Sequence, residues 1–378
     1  MSIPLVYIDQ NIIGLQLQGH INLSKRDDVI WVYSKEHFTE IKRASEPEKY
    51  LDVLNNIDAT MLDLIFDENW KITGEARLVN DLTPFENYQN YIEAIADVEF
   101  DETIFDPFQV WVNGGGDEGP LKELSENLAD QVLRLTSDLP FDRTEMANKV
   151  ATIKPVIDSM VDELISNGND IKKTRAAFGD EKGTIGGVSG ENQVAQIWDI
   201  ISPSMESSGV SCDQFFGFDP VDKQGYELWP LYLGIIGCNA VMDILGFQAE
   251  KKCRKINKIQ NVRSDASHIG MGAYCSAILS EDKRLVKRAK AIYEYKNIDT
   301  SPILIEKTAT KSNQQTDNAS ADWSSKLKVR YLSNADCQSK SRPLNQSVGL
   351  DMSHYTLFVV AGFACRQFIF FFLKLHLK

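Results

Sequence analysis

The chain has 378 residues, of which 43% are hydrophobic and 25% are charged, and its formal net charge at pH 7 is -14. These values are ordinary for a globular protein, and the length predicts one domain with an insertion or a second domain. The negative charge argues against a protein that coats nucleic acid over its whole surface, but it is compatible with a local basic groove.

The cysteines indicate a reducing compartment. All six occur singly, with no C-x-x-C pair and no histidine at zinc-finger spacing. We therefore expect no structural zinc and no disulfide framework. The opening sequence MSIPLVYID has neither a basic region nor a cleavage-site pattern, which predicts a mature start rather than a signal peptide. The predicted location is cytoplasmic.

The first predicted strand ends in an acid. Residues 3–8 form a nearly continuous apolar run, typical of a strand that is buried on both faces of a parallel sheet. Asp9 follows this run directly. A second strand, or a lead-in, is predicted over 27–33. Ser34 is then a suitable N-cap for a helix that carries Glu40.

The middle of the chain is predicted to be a helical insertion. From about 44 to 232 the pattern changes to long helical periodicity with polar connections. Apolar residues from Leu51 to Ile65 predict one helix, and 121–139 and 150–165 predict two more. Two glycine-rich segments match no phosphate-binding motif, so we do not assign them a phosphate.

After the insertion, apolar and basic segments alternate. Residues 228–247 predict a helix buried against the sheet, and the basic run 251–263 follows it. A second basic helix is predicted from Lys283, and 302–305 predict one more short strand. These segments return the chain to an alternating α/β pattern.

Between the two basic segments, the stretch 264–282 places acids at the ends of predicted elements. Asp265 is expected to start a helix, and 275–279 to form a short buried strand. Glu281 and Asp282 then follow that strand. Open α/β sheets bind ligands in the crevice beyond the carboxyl ends of their strands, so these acids are candidate site residues.

Residues 308–378 have a different composition. The part from 308 to 349 is rich in Ser, Asn, Gln and Thr, which predicts a linker or disorder. Residues 355–373 are almost wholly apolar and just long enough to span a bilayer, but they contain Arg366. Three interpretations stay open: a membrane anchor, a tail packed on the domain, and an extension without a fold of its own.

Four acids are candidate metal ligands: Asp9, Glu40, Asp265 and Asp282. Carboxylates that converge repel one another, so a divalent cation is their natural partner. Mg²⁺ and Mn²⁺ prefer such oxygen ligands. In phosphodiester hydrolysis, one ion lowers the pKa of the attacking water and a second stabilises the leaving oxygen. We therefore predict a four-carboxylate Mg²⁺ or Mn²⁺ site.

The local sequences around these acids resemble the PIN and PIN-like nuclease family. IDQNIIG is similar to the family's strand-one motif, SKEHFTEI to its acidic helix, and DASHIGMGAYCSAILSEDKRL to its C-terminal half. The resemblance covers about 1–43 and 233–306. It implies an α/β, PIN-like three-layer fold with a central parallel sheet in a domain over 1–307. The helical insertion at 44–232 would interrupt this domain.

The resemblance also implies a function: a metal-dependent nuclease, with RNA favoured as substrate and DNA as the alternative. A toxin–antitoxin or defence role would suit such a fold. The family's carboxylates fall on the four acids, and its strand-one asparagine falls on Asn11. Glu36 competes with Glu40, and Glu281 competes with Asp282. His268 is either a packed core histidine or a contact to a phosphate or a metal-bound water.

The basic runs on either side of the acidic block have two interpretations. They are solvated faces, or they attract a phosphate backbone to the metal site. The candidate nucleic-acid contacts are Lys255, Lys258, Arg263, Lys283 and Arg284. Any recognition of a specific sequence would then come from the insertion.

Two other functions remain open. The first is a non-catalytic PIN-like scaffold without metal, which binds a protein partner through the helical insertion. The second is a phosphotransferase or phosphatase that uses Asp9 as a covalent nucleophile. That chemistry usually has a second acid two residues later, where this chain has Asn11.

Overall fold

The computed structural model describes residues 3–68, 71–96, 103–135, 143–223, 225–249 and 254–306. The strands are, in chain order, β1 (Leu5–Ile8), β2 (Ile30–Ser34), β3 (Thr60–Phe66), β4 (Ile72–Val79), β5 (Ala277–Ser280) and β6 (Ser301–Leu304). The helices are α1 (Gln10–Leu17), α2 (Lys35–Ile41), α3 (Pro47–Asn56), α4 (Pro84–Ala96), α5 (Asp106–Val112), α6 (Glu118–Lys122), α7 (Leu124–Leu135), α8 (Arg143–Asn167), α9 (Ile171–Ala177), α10 (Gln193–Met205), α11 (Cys212–Phe215), α12 (Leu231–Leu245), α13 (Ile256–Gly272) and α14 (Lys283–Tyr295).

The strands form one six-stranded sheet in the order β4-β3-β2-β1-β5-β6. All neighbouring pairs are parallel except β3 and β4, which are antiparallel. Tyr7 in the central strand β1 pairs with Val32 on one side and Ile278 on the other. All four residues of β1 are buried, as expected for a strand covered on both faces. The protein is therefore mixed α/β with a mostly parallel central sheet.

Several sequence predictions are confirmed. The apolar run at 3–8 contains β1, 275–279 contains most of β5, and 27–33 contains most of β2. Ser34 is the N-cap of α2, and α14 begins at Lys283, directly after its N-cap Asp282. These elements were predictable because each apolar run is short, buried and followed by a polar residue with capping capacity.

The prediction of a single helix from Leu51 to Ile65 is wrong. Helix α3 ends at Asn56, and β3 and β4 follow it, so the predicted helical insertion at 44–232 contains two strands of the sheet. The chain turns at Asp58, whose φ of 56° lies in the left-handed region. The apolar residues of α3 and β3 happen to keep a helical spacing across this turn. The sequence of the two elements therefore resembles that of one continuous helix.

The expectation that Asp265 starts a helix is also wrong. Helix α13 begins at Ile256, so Asp265 lies in its interior. Buried residues recur at helical spacing on both sides of Asp265, at Ile259, Val262, Ala266 and Ile269. This apolar stripe runs through the basic segment, and it extends the helix further than the charged residues had indicated.

The chain divides into two compact units. As far as they are described, Met1–Glu93, Gln224–Ile236 and Ala266–Gly349 form the first, which contains the sheet and is called the sheet unit. Ala94–Lys223 and Gly237–Asp265 belong to the second, the helical unit. A cluster of buried residues stabilises the helical unit: Ile104, Phe105, Phe108, Trp111, Leu121, Leu124, Val161 and Leu164.

Among the described residues, no helix is both long enough and apolar enough to cross a membrane. The predicted linker and the apolar segment 355–373 lie outside the described residues.

Replacing Gly272 at the end of α13 tests the packing of this helix on the sheet. A Cβ at Gly272 would lie 2.9 Å from Cδ1 of Ile278 and 3.0 Å from the hydroxyl of Tyr293, and both of these residues are buried. We expect Gly272→Ala to lower the free energy of unfolding by about 1–3 kcal/mol, measured by urea denaturation, because overpacking strains a core.

Gly14→Ala in α1 is the matched control. No atom lies within 4 Å of a Cβ built at Gly14. Alanine has the better helix propensity, so this variant should be more stable by up to about 1 kcal/mol. Equal effects of the two substitutions would contradict the close packing at Gly272.

Candidate functional site

The candidate site lies where two adjacent strands end and the chain leaves them in opposite directions. From β1 the chain continues through α1 to β2 on one side, and from β5 it continues through α14 to β6 on the other. The strand order therefore reverses between β1 and β5, and open α/β sheets bind ligands at such a point. Asp9 and Asp282 are the N-caps of the two helices that start here.

Asp9 is held in place by hydrogen bonds from both strand ends. Its side chain is almost fully buried, with a residue exposure of 4%. The Oδ2 atom accepts from Ser280 Oγ at 2.6 Å and from Asn11 Nδ2 at 2.5 Å. Asn11 Oδ1 accepts from the backbone N–H of Glu281 at 3.0 Å, so Asn11 also ties α1 to the end of β5. Burial raises the pKa of Asp9 above its ordinary value.

His268 in α13 brings Asp9 and Glu40 together. Its Nε2 atom lies 3.6 Å from Asp9 Oδ1 and 3.5 Å from Glu40 Oε1. His268 is 1% exposed, and its Nε2 has no hydrogen-bond partner among the described residues. Burial alone would lower the pKa of His268, but its interactions with Glu40 and Asp9 outweigh burial and raise it to about 9. The site thus places an imidazolium between two carboxylates.

A buried chain of polar side chains orients His268. Its Nδ1 lies 2.8 Å from the hydroxyl of Tyr7, which in turn lies 2.7 Å from Ser34 Oγ. Tyr7 and Ser34 are themselves buried at the end of β1 and at the start of α2. Because Nδ1 is engaged in this way, Nε2 is directed towards the carboxylates of Asp9 and Glu40.

His37 has a structural role. It is fully buried, and its Nδ1 accepts from the backbone N–H of Ser34, at 3.1 Å. Its Nε2 lies 2.6 Å from the carbonyl oxygen of Ile8, so Nε2 donates the proton in that bond. Burial and the charge of His268 lower the pKa of His37 to about 3, so its ring is neutral. Its two ring nitrogens are both satisfied.

Asp282 caps α14. Its Oδ1 accepts from the backbone N–H groups of Arg284 and Leu285, at 2.7 and 3.4 Å. Its Oδ2 pairs with the Arg284 guanidinium at 3.2 Å. Burial favours the neutral acid, but the bonds from Arg284 outweigh it and lower the pKa of Asp282. The backbone N–H of Asp282 donates to Ser280 Oγ, so the cap is connected to the bonds around Asp9.

The other predicted site residues are placed as follows. Asp265 is half-buried and belongs to the helical unit, not to the sheet unit. Arg263, in the same unit, forms an ion pair with Asp106. Lys255 and Lys283 are exposed. The Lys258 side chain is not among those described, and Arg284 is engaged by Asp282. In the sheet unit the structure thus joins Asp9, Asn11, Glu40, His268 and Glu281, with Asp282 next to them.

Sequence reasoning did not identify Tyr7 and Ser34 as site residues. Both are polar groups next to apolar strands, and Ser34 was predicted only as a helix cap. Ser280 had a detectable signal, because a polar residue that ends a buried strand beside β1 must face the same edge as Asp9. The contact between Tyr7 and His268 joins elements that are far apart in sequence, and spacing gives no indication of it.

The donor set at this edge fits a divalent cation. Two carboxylates offer oxygen ligands, and the buried His268 Nε2 without a hydrogen-bond partner lies between them. In the present side-chain arrangement, no group of three or more His, Cys, Asp or Glu residues in the described part of the chain is set to hold a metal ion. The side chains would therefore have to adjust on binding.

Comparison with known proteins gives no relative: no protein-family model, no curated protein and no solved structure matches this chain.

The pKa of His268 predicts how stability changes with pH in the presence of EDTA. A histidine in an unfolded chain has a pKa of about 6.5, whereas that of folded His268 is about 9. The imidazolium therefore stabilises the fold fully below about pH 6.5, and this contribution is lost as the pH rises through 9. We expect the free energy of unfolding to fall by a few kcal/mol over this interval.

His268→Gln, compared by urea denaturation at several pH values, should lose most of this fall. If the variant and the wild type weaken in parallel between these pH values, the charge on His268 does not stabilise the fold.

Proposed function

We propose that the protein is a PIN-like, metal-dependent nuclease that hydrolyses phosphodiester bonds. The observation that carries this proposal is the meeting of Asp9 and Glu40, from two separate motifs, at the switch point of the sheet. Both acids were candidate ligands because their local sequences resemble the family's motifs. The preference for RNA over DNA, and a toxin–antitoxin or defence role, rest on the resemblance alone.

Asp9 and Glu40 would hold Mg²⁺ or Mn²⁺. When bound, such an ion supplies a water with a lowered pKa and offsets the charge on the leaving oxygen. Asn11 and Ser280 fix Asp9 through its Oδ2, so that its Oδ1 faces His268 Nε2, which also lies near Glu40. The Glu40 side chain is 21% exposed, which allows it to accept a proton from an attacking water at the edge of the site.

The surrounding charges suit an anionic substrate. Lys283 is exposed at the start of α14, next to Asp282, and would attract a phosphate backbone despite the net charge of the chain. Asp282 is proposed as a further ligand, which would require it to give up part of its bonding to Arg284. The helical unit is the part of the chain proposed to select the substrate or bind a protein partner.

A second candidate is the non-catalytic scaffold. The specific observation in its favour is that His268 lies within ion-pair distance of both Asp9 and Glu40 and offsets part of their charge. On this account the edge of the sheet is a structural ion-pair cluster, and the protein acts through a partner.

Asp9→Asn is the test of catalysis. Asparagine keeps the shape of Asp9 and can still accept from Ser280 and Asn11, but it removes the ligand charge. We expect Mn²⁺-dependent cleavage of labelled RNA and DNA to fall at least about a hundredfold, because several kcal/mol of transition-state stabilisation depend on the ion. EDTA should abolish the wild-type activity.

Asp52→Asn is the matched control, because Asp52 is an exposed acid on α3. It should cleave like the wild type. Cleavage that survives both EDTA and Asp9→Asn would refute the metal-nuclease proposal. A folded wild type that cleaves neither RNA nor DNA with Mn²⁺ would favour the scaffold.

A further inference from the structure

We propose that His268 is a direct ligand, through Nε2, of the cation that Asp9 and Glu40 hold. The site would then take a transition-metal ion such as Mn²⁺ in preference to Mg²⁺. This inference rests on the proposed function, because it concerns the same pair of carboxylates. It departs from the all-carboxylate site that the sequence predicts.

The distances between the three side chains support a shared ion. Nε2 lies 3.6 Å from Asp9 Oδ1 and 3.5 Å from Glu40 Oε1. Two adjacent ligands of one octahedral ion, the geometry of Mg²⁺ and Mn²⁺, lie about 3.0 Å apart when each is bound at about 2.1 Å. Both observed separations are longer than a normal hydrogen bond and about half an ångström longer than this ligand spacing. The three side chains would therefore move slightly closer together to hold one ion, since no group of three ligands is already set for a metal among the described residues.

The burial of His268 gives an independent reason to expect a ligand. Its side chain is 1% exposed, and the described residues supply no hydrogen bond to Nε2. Its contacts to Asp9 and Glu40 are ionic and longer than a hydrogen bond, and a buried polar atom without a hydrogen bond costs stability. A cation that binds Nε2 and both carboxylates would remove this cost.

The other ring nitrogen is bonded as a metal ligand requires. A histidine that binds a metal almost always donates its second N–H to a fixed acceptor, which sets the orientation of the ring. Here Nδ1 lies 2.8 Å from the hydroxyl of Tyr7, which lies 2.7 Å from Ser34 Oγ. With Nε2 bound to an ion, Nδ1 would carry the ring proton and donate it to Tyr7. Because a coordinating imidazole must be neutral, uptake of the ion displaces the proton from Nε2.

The nitrogen ligand determines the choice of metal. Imidazole suits first-row transition metals, whereas carboxylates and water suit Mg²⁺, Ca²⁺ and Mn²⁺. Mn²⁺ accepts the carboxylates of this mixed set and binds more strongly than Mg²⁺ when nitrogen is included. The proposal thus predicts that removal of the imidazole weakens Mn²⁺ binding much more than Mg²⁺ binding.

The experiment measures Mn²⁺ on the full chain after EDTA treatment, by electron paramagnetic resonance, without any assay of cleavage. Pulsed spectra of wild type should show coupling to ¹⁴N, and labelling with ¹⁵N-histidine should change that coupling. His268→Gln should lose it and bind Mn²⁺ at least about tenfold more weakly, since loss of an outer-shell partner alone costs this much. Mg²⁺ affinity, measured by competition, should change little.

Two further variants separate ligation from folding. Tyr7→Phe keeps the imidazole but removes the group that holds Nδ1, so it should retain the ¹⁴N coupling with weaker Mn²⁺ binding. His20→Gln, a histidine outside the site, should match the wild type. Circular dichroism identifies any variant that fails to fold. In that case the ¹⁴N coupling of the wild type, and its change on ¹⁵N-histidine labelling, still decide whether a histidine binds the ion.

The outcomes distinguish this inference from the proposed function. If Mn²⁺ binds and is lost in Asp9→Asn, but neither ¹⁴N coupling nor an effect of His268→Gln is seen, His268 is not a ligand and the metal site stands. If wild type binds no Mn²⁺, the inference and the metal-dependent function are both overturned.

Discussion

The negative charge of the buried Asp9 carboxylate, at the end of β1, must be compensated by nearby groups. The structure at this edge of the sheet depends on those groups. Asp9 Oδ2 receives hydrogen bonds from Ser280 and Asn11, and Oδ1 faces the His268 imidazolium. Ser280 ends β5, and His268 lies in α13. The contacts that compensate the charge of Asp9 therefore fix β5 and α13 relative to the end of β1. Leaving such a charge unpaired would cost several kcal/mol.

The same compensation is compatible with both proposed functions, the metal-dependent nuclease and the non-catalytic scaffold. His268 lies within ion-pair distance of both Asp9 and Glu40, so its positive charge can offset part of theirs. The same three side chains offer a cation two oxygens and a nitrogen at a switch point, which is where α/β sheets bind ligands. The metal site that we propose and a structural ion-pair cluster therefore use the same side chains, and they differ in whether a cation binds between them. The helical unit has its own core, which allows it to carry a separate binding role.

The sequence was informative wherever local pattern and topology agree. Short apolar runs that end in Asp9 and near Asp282 predicted parallel strands with acids at one edge, and β1 and β5 have this arrangement. It was misleading for β3, where apolar spacing continued across the left-handed turn at Asp58. His268 was a candidate site residue, but its position between Asp9 and Glu40 was not predictable, because it depends on the length of α13 and on a contact with Tyr7 between distant parts of the chain.

The most direct test of the account is a crystal structure of the protein soaked in Mn²⁺, with anomalous diffraction data collected to locate the ion. We expect an anomalous peak within coordination distance of Asp9 Oδ1, Glu40 Oε1 and His268 Nε2. A peak bound to the two carboxylates alone would contradict the role of His268. Full density for these side chains in their present positions, with no peak between them, would contradict the metal site itself.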